Sequence, residues 1–485
     1  MESLMRRRAP VVLVLVVAIM FQASTQICVG GQILPTGSGR PNDDHETSTT
    51  QEVNHNKVLK SYWIHRDHPD FSSSAANTYK TRSHSERIAA AARRSLIRAQ
   101  YISRRVLLHA SSSKSFDSPL EYVNGDYAMA VSVGTPPQQF IAWIDTGSDL
   151  VWLNCKPCIQ CIVPAADNPF DPALSSSYQE VSCTDAACTD FPNLLSTCFG
   201  KGPCDYFYGY AGGTTTSGVL AYETFTFTAL DGSSIPVKHI TFGCGQNETL
   251  YGFPGVDGIV GLGQSRFSLP SQLSSGPGFA DIFSYCLIPL FDTIANHSTF
   301  YFGVPETNIS IYTPIVSNTI IPAATFYYVN VTGISVGGVL LDIPADTFYI
   351  NPVDGTGGII FDDGTTFTYL TAVAYDAILK TFQSQFKFPV VSLPPFQCFD
   401  TSSATATIIV PTIVLHLQSV SGAAPVDFKL AEDNILLPVL EFLYCLTIVS
   451  DPLSIMIIGN TAQANHQMVF DRVKHQIGWA STTCT

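Results

Sequence analysis

The feature that most restricts how this chain can fold is a landmark that occurs twice. The apolar run Phe140 to Ile144 leads into Asp145-Thr146-Gly147-Ser148, and Ile359 to Phe361 leads into Asp362-Asp363-Gly364-Thr365. Each is followed at a distance by an apolar-apolar-Gly segment: Ile259-Val260-Gly261, with Leu262 after it, and Ile457-Ile458-Gly459. The intervals from Asp145 to Gly261 and from Asp362 to Gly459 are 116 and 97 residues. Duplication of this kind predicts two similar lobes, 116–322 and 323–485, with a cysteine-dense stretch accounting for the longer first interval.

Either Asp-x-Gly alone would be ordinary turn chemistry; repetition with matched flanks points to a shared role. A strand that ends in Asp-x-Gly presents its carboxylate at a tight turn, and the glycine permits close approach of a facing loop. If the lobes pack face to face, Asp145 and Asp362 meet across a near-symmetric cleft. Two like charges in contact cannot both ionise easily, so the pair shares one proton in acid. The ionised member draws a proton from a bound water while the protonated one donates to a peptide carbonyl. That chemistry is peptide hydrolysis with no metal, no cofactor and no covalent intermediate.

Composition agrees with a strand-rich body. The 485 residues, 46% of them hydrophobic, can bury a sizeable core, and Phe and Tyr outnumber Lys and Arg by 50 to 25. Helical periodicity is rare outside one segment, which favours strands and turns and an all-β class. Charge divides the chain. Residues 51–115 hold twelve Lys or Arg against four Asp or Glu, whereas 116–485 hold nine against thirty-one. The acidic body repels itself less as its carboxylates protonate, so acid is tolerated, and its charge disfavours nucleic acid as a partner.

The N-terminus reads as a secretory signal peptide, residues 1–25. Arg6, Arg7 and Arg8 precede an apolar run, Ala9 to Phe21, too short to span a bilayer comfortably. No second long apolar run follows, so no membrane association is expected after its removal. Residues 26–115 read as a basic pro-segment that ends in a processing linker, Ser111 to Ser118. Within it Ser85 to Arg105 is the convincing helix, and Arg87, Arg94, Arg98 and Arg105 share one stripe. Two readings stay open: cations laid over the acidic body until acid weakens the contact, or a solvated amphipathic helix. His65 and His68, also in the leader, read as surface residues.

Cys28 lies in or near the removable segment. The other twelve cysteines are Cys155, Cys158, Cys161, Cys183, Cys188, Cys198 and Cys204, crowded together, and Cys244, Cys286, Cys398, Cys445 and Cys484, dispersed. In an oxidising compartment they make up to six disulfides of unspecified pairing; a metal or iron-sulfur site at Cys155, Cys158 and Cys161 would need reduced thiols. N-glycosylation acceptors occur at Asn247, Asn296, Asn308 and Asn330. A serine-hydrolase elbow and a Gly-rich phosphate loop are both missing from the sequence.

The stretches FIAWIDTGSDLVWLNCKPC, GIVGLG, FSYCL, FYYVNVTGISVGG and IIGNTAQANHQMVFD, with the cysteine-dense insert and the final Cys484, resemble the plant nepenthesin-type branch of the pepsin-like aspartic proteases. The likeness spans essentially all of 120–485 and the basic pro-segment. It implies a bilobal all-β fold with the active cleft between lobes, and Asp145 and Asp362 as the catalytic pair. It further implies that Ser148 and Thr365 hydrogen-bond the outer carboxylate oxygens. A flap, CDYFYGYAGGTTTSG, would carry Tyr210, with Trp152 as its hydrogen-bonding partner. Without the resemblance, Tyr210 and the glycines after it read as a hairpin turn with an exposed aromatic, and Trp152 as core.

Asp363 departs from this pattern. The family has Ser or Thr here, whose hydroxyl both donates and accepts in a network joining the active-site loops. An ionised carboxylate only accepts and adds a third negative charge; protonated, it can imitate the hydroxyl. The expectation is therefore a secreted or vacuolar, monomeric endopeptidase made as a zymogen, which acts on polypeptide and is held by its own pro-segment. The alternative is a weakened or inactive homologue that binds protein, similar to plant inhibitors of glycoside hydrolases.

Overall fold

The computed structural model describes residues 59–65 (backbone), helical residues 86, 88, 89, 91, 92, 95, 96, 98, 99 and 102, and most of 127–484. Short stretches within that last span are left out, namely 162–168, 191–197, 199–201, 211–214, 230–232, 250–255, 277, 291–297, 304–307, 322–324, 406 and 451–454. The signal peptide, the linker, Cys28, His68, Asn296 and three of the stripe arginines, Arg87, Arg94 and Arg105, lie outside the described residues.

The duplicated landmark corresponds to a duplicated strand arrangement. Strand Gln138–Asp145 runs parallel to Gly258–Gly261, with Ile144 opposite Val260 and Asp145 opposite Gly261. Strand Ile359–Phe361 runs parallel to Met456–Ile458, with Phe361 opposite Ile458. In both halves the chain then turns back: Trp152–Asn154 lies antiparallel to Gly258–Gly261, and Thr368–Leu370 antiparallel to Met456–Ile458. The apolar-apolar-Gly segments are thus the parallel neighbours of the strands that deliver each aspartate. Their glycines are required by the crossing chain. A Cβ on Gly261 would come within 2.3 Å of the Asp149 backbone, and one on Gly459 within 2.3 Å of the Phe367 carbonyl oxygen.

Among the described residues one sheet takes fourteen strands, and three smaller sheets, of five, four and four strands, come wholly from the second half. The large sheet is not confined to the first half. His466–Asp471 pairs with Ile282–Cys286, and Gln476–Ser481 pairs with both His466–Asp471 and Ile311–Pro314, so the two lobes share a sheet. The leader also belongs to it: Leu59–His65 sits antiparallel between Ser298–Phe302 and Tyr127–Val133.

The mostly-β, bilobal expectation holds, with one addition. A long helix, Ala372–Gln385, lies in the body, where the sequence reading found no helix. Its buried residues, Ala374, Tyr375, Ile378 and Phe382, follow helical spacing and form one face. That stripe is short, and strands rich in the same residue types surround it, which hides the period.

All twelve body cysteines pair, which replaces the metal reading with Cys155–Cys244, Cys158–Cys161, Cys183–Cys198, Cys188–Cys204, Cys286–Cys484 and Cys398–Cys445. Cys286–Cys484 joins residues 198 apart, and Cys158–Cys161 residues only 3 apart. By chain entropy the long closure stabilises by about 5 kcal/mol and the short one by about 2 kcal/mol. Replacing Cys286 and Cys484 by serine is therefore expected to lower the Tm by clearly more than replacing Cys158 and Cys161. Thermal unfolding of the two variants checks this ranking, and equal shifts would contradict it.

Candidate active site

The two strand-delivered loops bring three acids together. One carboxylate oxygen from each of Asp145, Asp362 and Asp363 lies within 4.8 Å of the others. All three residues are buried. Asp145 ends its strand, and the carbonyl oxygen of Asp145 accepts from the Leu262 amide at 2.8 Å; the Asp362 amide donates to the Ile458 carbonyl at 3.1 Å. The Gly147 amide donates to Asp145 Oδ1 at 2.8 Å. The Ser148 hydroxyl donates to Asp145 Oδ2, and the Thr365 hydroxyl to Asp362 Oδ2. The motif glycines keep the shared space open, since a Cβ on Gly147 or Gly364 would come within 2.6 Å of the Arg98 guanidinium.

That space is filled by Arg98 from the leader. Its Nε donates to Asp362 Oδ2 at 2.9 Å, its Nη1 to Asp145 Oδ2 at 3.2 Å, and its Nη2 to the Oδ1 atoms of both aspartates. The planar fork suits two carboxylates at once, which a lysine could not match. Burial works against the guanidinium charge, but Asp145 and Asp362 outweigh it and hold the group protonated well above its ordinary range. The leader is also held by packing. Ile88, Ala91, Ala92, Ala99 and Ile102 bury in a cluster with Phe326, Tyr328, Phe367 and Tyr369, and the Ser95 hydroxyl accepts from the Phe367 amide at 2.8 Å. Helical spacing identified the arginine stripe but gave no means of choosing Arg98 among its four members.

Asp363 points not at this space but across to the first loop. Its Oδ1 accepts from the Thr146 amide at 2.7 Å and from the Thr146 hydroxyl at 2.8 Å, while its own amide donates to Thr146 Oγ1 at 2.9 Å. The reciprocal loop-to-loop bonding therefore survives with a carboxyl oxygen in the hydroxyl's place. Asn460 Nδ2, just beyond Ile457-Ile458-Gly459, donates to the Asp363 carbonyl at 2.9 Å. Asp363 Oδ2 is buried and has no hydrogen-bond partner among the described residues. Burial, the Asp362 charge and then the Asp145 charge push this carboxyl up to about 7, against the opposing bonds from Thr146. It is a neutral acid through the acidic range.

Tyr210 follows the strand Asp205–Gly209, which pairs with Thr215–Ala229. Its hydroxyl accepts from Trp152 Nε1 at 2.8 Å. The reading of Tyr210 as an exposed aromatic is corrected: it is buried, stacked at an angle on Tyr208 and packed near Trp152, because the strand pair carries it against the first lobe. Asp149 was not singled out from the sequence. Its Oδ1 accepts from the Ser265 amide at 2.9 Å and its Oδ2 from the Thr325 hydroxyl at 2.6 Å, tying the first loop to the chain that begins the second half. Of the glycosylation acceptors, Asn247 and Asn308 are exposed, and Asn330 is half-buried and donates to Gln418 Oε1 at 3.0 Å.

Residues 127–304 match the family model described as Xylanase inhibitor N-terminal, and 326–481 the model described as Xylanase inhibitor C-terminal. The chain is 37% identical over 401 residues to aspartic proteinase nepenthesin-2 of Nepenthes gracilis, covering 81% of this chain and 85% of that protein. To nepenthesin-1 of the same plant it is 36% identical over 373 residues, covering 74% and 78%. The crystal structure of edgp is similar with a TM-score of 0.61 at 19% identity, covering 89% of this chain and 96% of that one, a likeness of fold alone. Two aspartate loops delivered by the same strand arrangement in two halves, with sequence likeness across most of the chain, place one conclusion beyond the fold: the chain belongs to the plant pepsin-like aspartic protease family.

Proposed function

We propose that the processed protein is a secreted or vacuolar endopeptidase that hydrolyses polypeptides in acid, made as a zymogen that Arg98 keeps silent. The observation that carries this reading is the meeting of Asp145 and Asp362, outer oxygens held by Ser148 and Thr365, around a space occupied by one leader guanidinium. With Arg98 bound to both carboxylates, neither can hold water or peptide. As pH falls and a carboxylate takes up a proton, the guanidinium loses part of its attraction, and the leader can leave. In the vacated space the ionised aspartate accepts a proton from water as the water oxygen bonds to the peptide carbon. The protonated one gives its proton to the carbonyl oxygen. Collapse of the tetrahedral species breaks the C–N bond as the nitrogen takes up a proton. Tyr210 and Trp152, hydrogen-bonded to each other, brace the base of a hairpin that would lie over an extended substrate. Six disulfides support an oxidising destination.

Asp363 and the inhibitor description of the matching models favour a second reading, a binding protein on this scaffold. Against it stands the intact cross-bonding of Thr146 and Asp363. Incubation of the acid-treated protein with denatured globin near pH 4 is expected to release peptides; pepstatin and Asp145→Asn are each expected to abolish the release, and Arg98→Ala to speed self-processing. No peptide release at any acidic pH would favour the binder.

The same reading gives Asp363 a pH dependence. Below the ordinary carboxyl value of about 4, folded and unfolded chains both hold this proton. Between there and about 7 only the folded chain holds it, so this residue's contribution to stability falls as pH rises through that window. Asp363→Ser is expected to lose that fall and to move the upper pH limit of hydrolysis upward. Unfolding midpoints and kcat/KM measured across pH check this; curves parallel to those of the unchanged protein would contradict it.

A further inference from the structure

Away from the acid loops, three side chains on adjacent strands of the second half form a continuous relay. Val331–Val336 pairs with Ile413–Leu417, which pairs with Val426–Lys429. His416 stands opposite Asp427 on one side and Gly333 on the other, and Ser335 lies two residues beyond Gly333. Alternation turns Leu415, Leu417 and Phe428 into the core and leaves Gly333, Ser335, His416 and Asp427 on the other face. There Ser335 Oγ lies 2.6 Å from His416 Nε2, and His416 Nδ1 lies 2.7 Å from Asp427 Oδ1. An ionised carboxylate only accepts, so Nδ1 of the neutral ring carries the proton and Nε2 accepts from the serine hydroxyl.

Gly333, with no side chain, lets Leu340 lie over the sheet beside the ring. A Cβ on Gly333 would come within 3.2 Å of Leu340 Cδ1 and 3.8 Å of His416 Cδ2. Leu340 itself is 66% exposed and forms an apolar wall. The Ser335 residue is 9% exposed and the His416 side chain 23%, so access is narrow. Nucleophile, base and orienting acid are thus in hydrogen-bond contact in the order that activates a hydroxyl.

We propose that Ser335, activated by His416 and oriented by Asp427, is a second nucleophilic site that takes acyl groups from small activated esters. Ser335 Oγ bonds to the ester carbonyl carbon as its proton passes to His416 Nε2. The carbon–oxygen bond to the alcohol breaks, and the leaving oxygen takes the proton from His416. Water, deprotonated by the same ring, later returns the acid and the free serine. Ser335 sits within a strand paired on both sides, so its amide belongs to the ladder instead of an oxyanion hole. Missing such a donor costs on the order of 10²–10³ in rate, which confines the site to esters with good leaving groups and slow turnover. The ring must be neutral to accept the serine proton.

The test uses the processed protein with 4-nitrophenyl acetate near neutral pH, pepstatin present throughout, followed by peptide mass spectrometry. The expected result is a burst of nitrophenolate of one equivalent with the acetyl group on Ser335. Ser335→Ala removes the burst, and His416→Gln slows it by about 10² or more. Asp427→Asn slows it less. If the three residues only bracket the strands together, acetylation falls on other side chains or reaches Ser335 at the same rate in His416→Gln; either outcome overturns the proposal. Location of the adduct in the unchanged protein decides the matter even if a variant misfolds.

Discussion

The reciprocal bonding between Thr146 and Asp363 is the interaction on which the arrangement of the acid site depends. Each loop donates its backbone amide to a side chain of the other, so neither loop can shift without breaking a bond to its counterpart. The parallel strands behind the loops set direction; these cross-bonds set separation. Such bonds, buried in a low-dielectric interior, are costly to leave unmade. An ionised Asp363 would keep accepting from Thr146 but would bury a third charge beside two others. Its orphan Oδ2 and raised proton affinity are two expressions of the same crowding.

Around this lock, charge follows simple arithmetic. Asp145 and Asp362 face one guanidinium, and the ordering of that guanidinium is shared with apolar packing of the leader helix. Breaking a buried ion cluster by removing one partner is expensive while the partners stay charged and cheap once they are neutral. Strand Leu59–His65, on the same N-terminal side as Arg98, lies between body strands and so ties that part of the chain into the large sheet as well.

Much of this was legible in the sequence because it rests on residue type at fixed spacing. The duplicated Asp-x-Gly and apolar-apolar-Gly landmarks showed both halves and both aspartates, since the parallel strands need apolar residues and the crossing chain needs Gly261 and Gly459. The roles of Ser148 and Thr365 came from the family resemblance, and their hydroxyls do donate to the two aspartates. What stayed hidden depends on distance in space. Disulfide partners, the sharing of a sheet by the C-terminal strands, and the choice of Arg98 from four equivalent arginines are set by tertiary packing. Asp149 and Asn460 look like routine turn residues until their partners, Ser265 and Thr325 for one and Asp363 for the other, are placed. Tyr210 read as exposed because a Gly-rich turn follows it, while its burial comes from Trp152 and Tyr208.

The proposed chemistry requires Asp145 and Asp362 to share one reacting molecule once Arg98 has left. A high-resolution crystal structure of the processed protein with a statine-type inhibitor tests this most directly. The predicted result has the inhibitor's central hydroxyl hydrogen-bonded to both carboxylates, in the place of the Arg98 guanidinium, with Thr146 and Asp363 still cross-bonded. Carboxylates that draw apart once Arg98 leaves, or an inhibitor seated elsewhere, would contradict it.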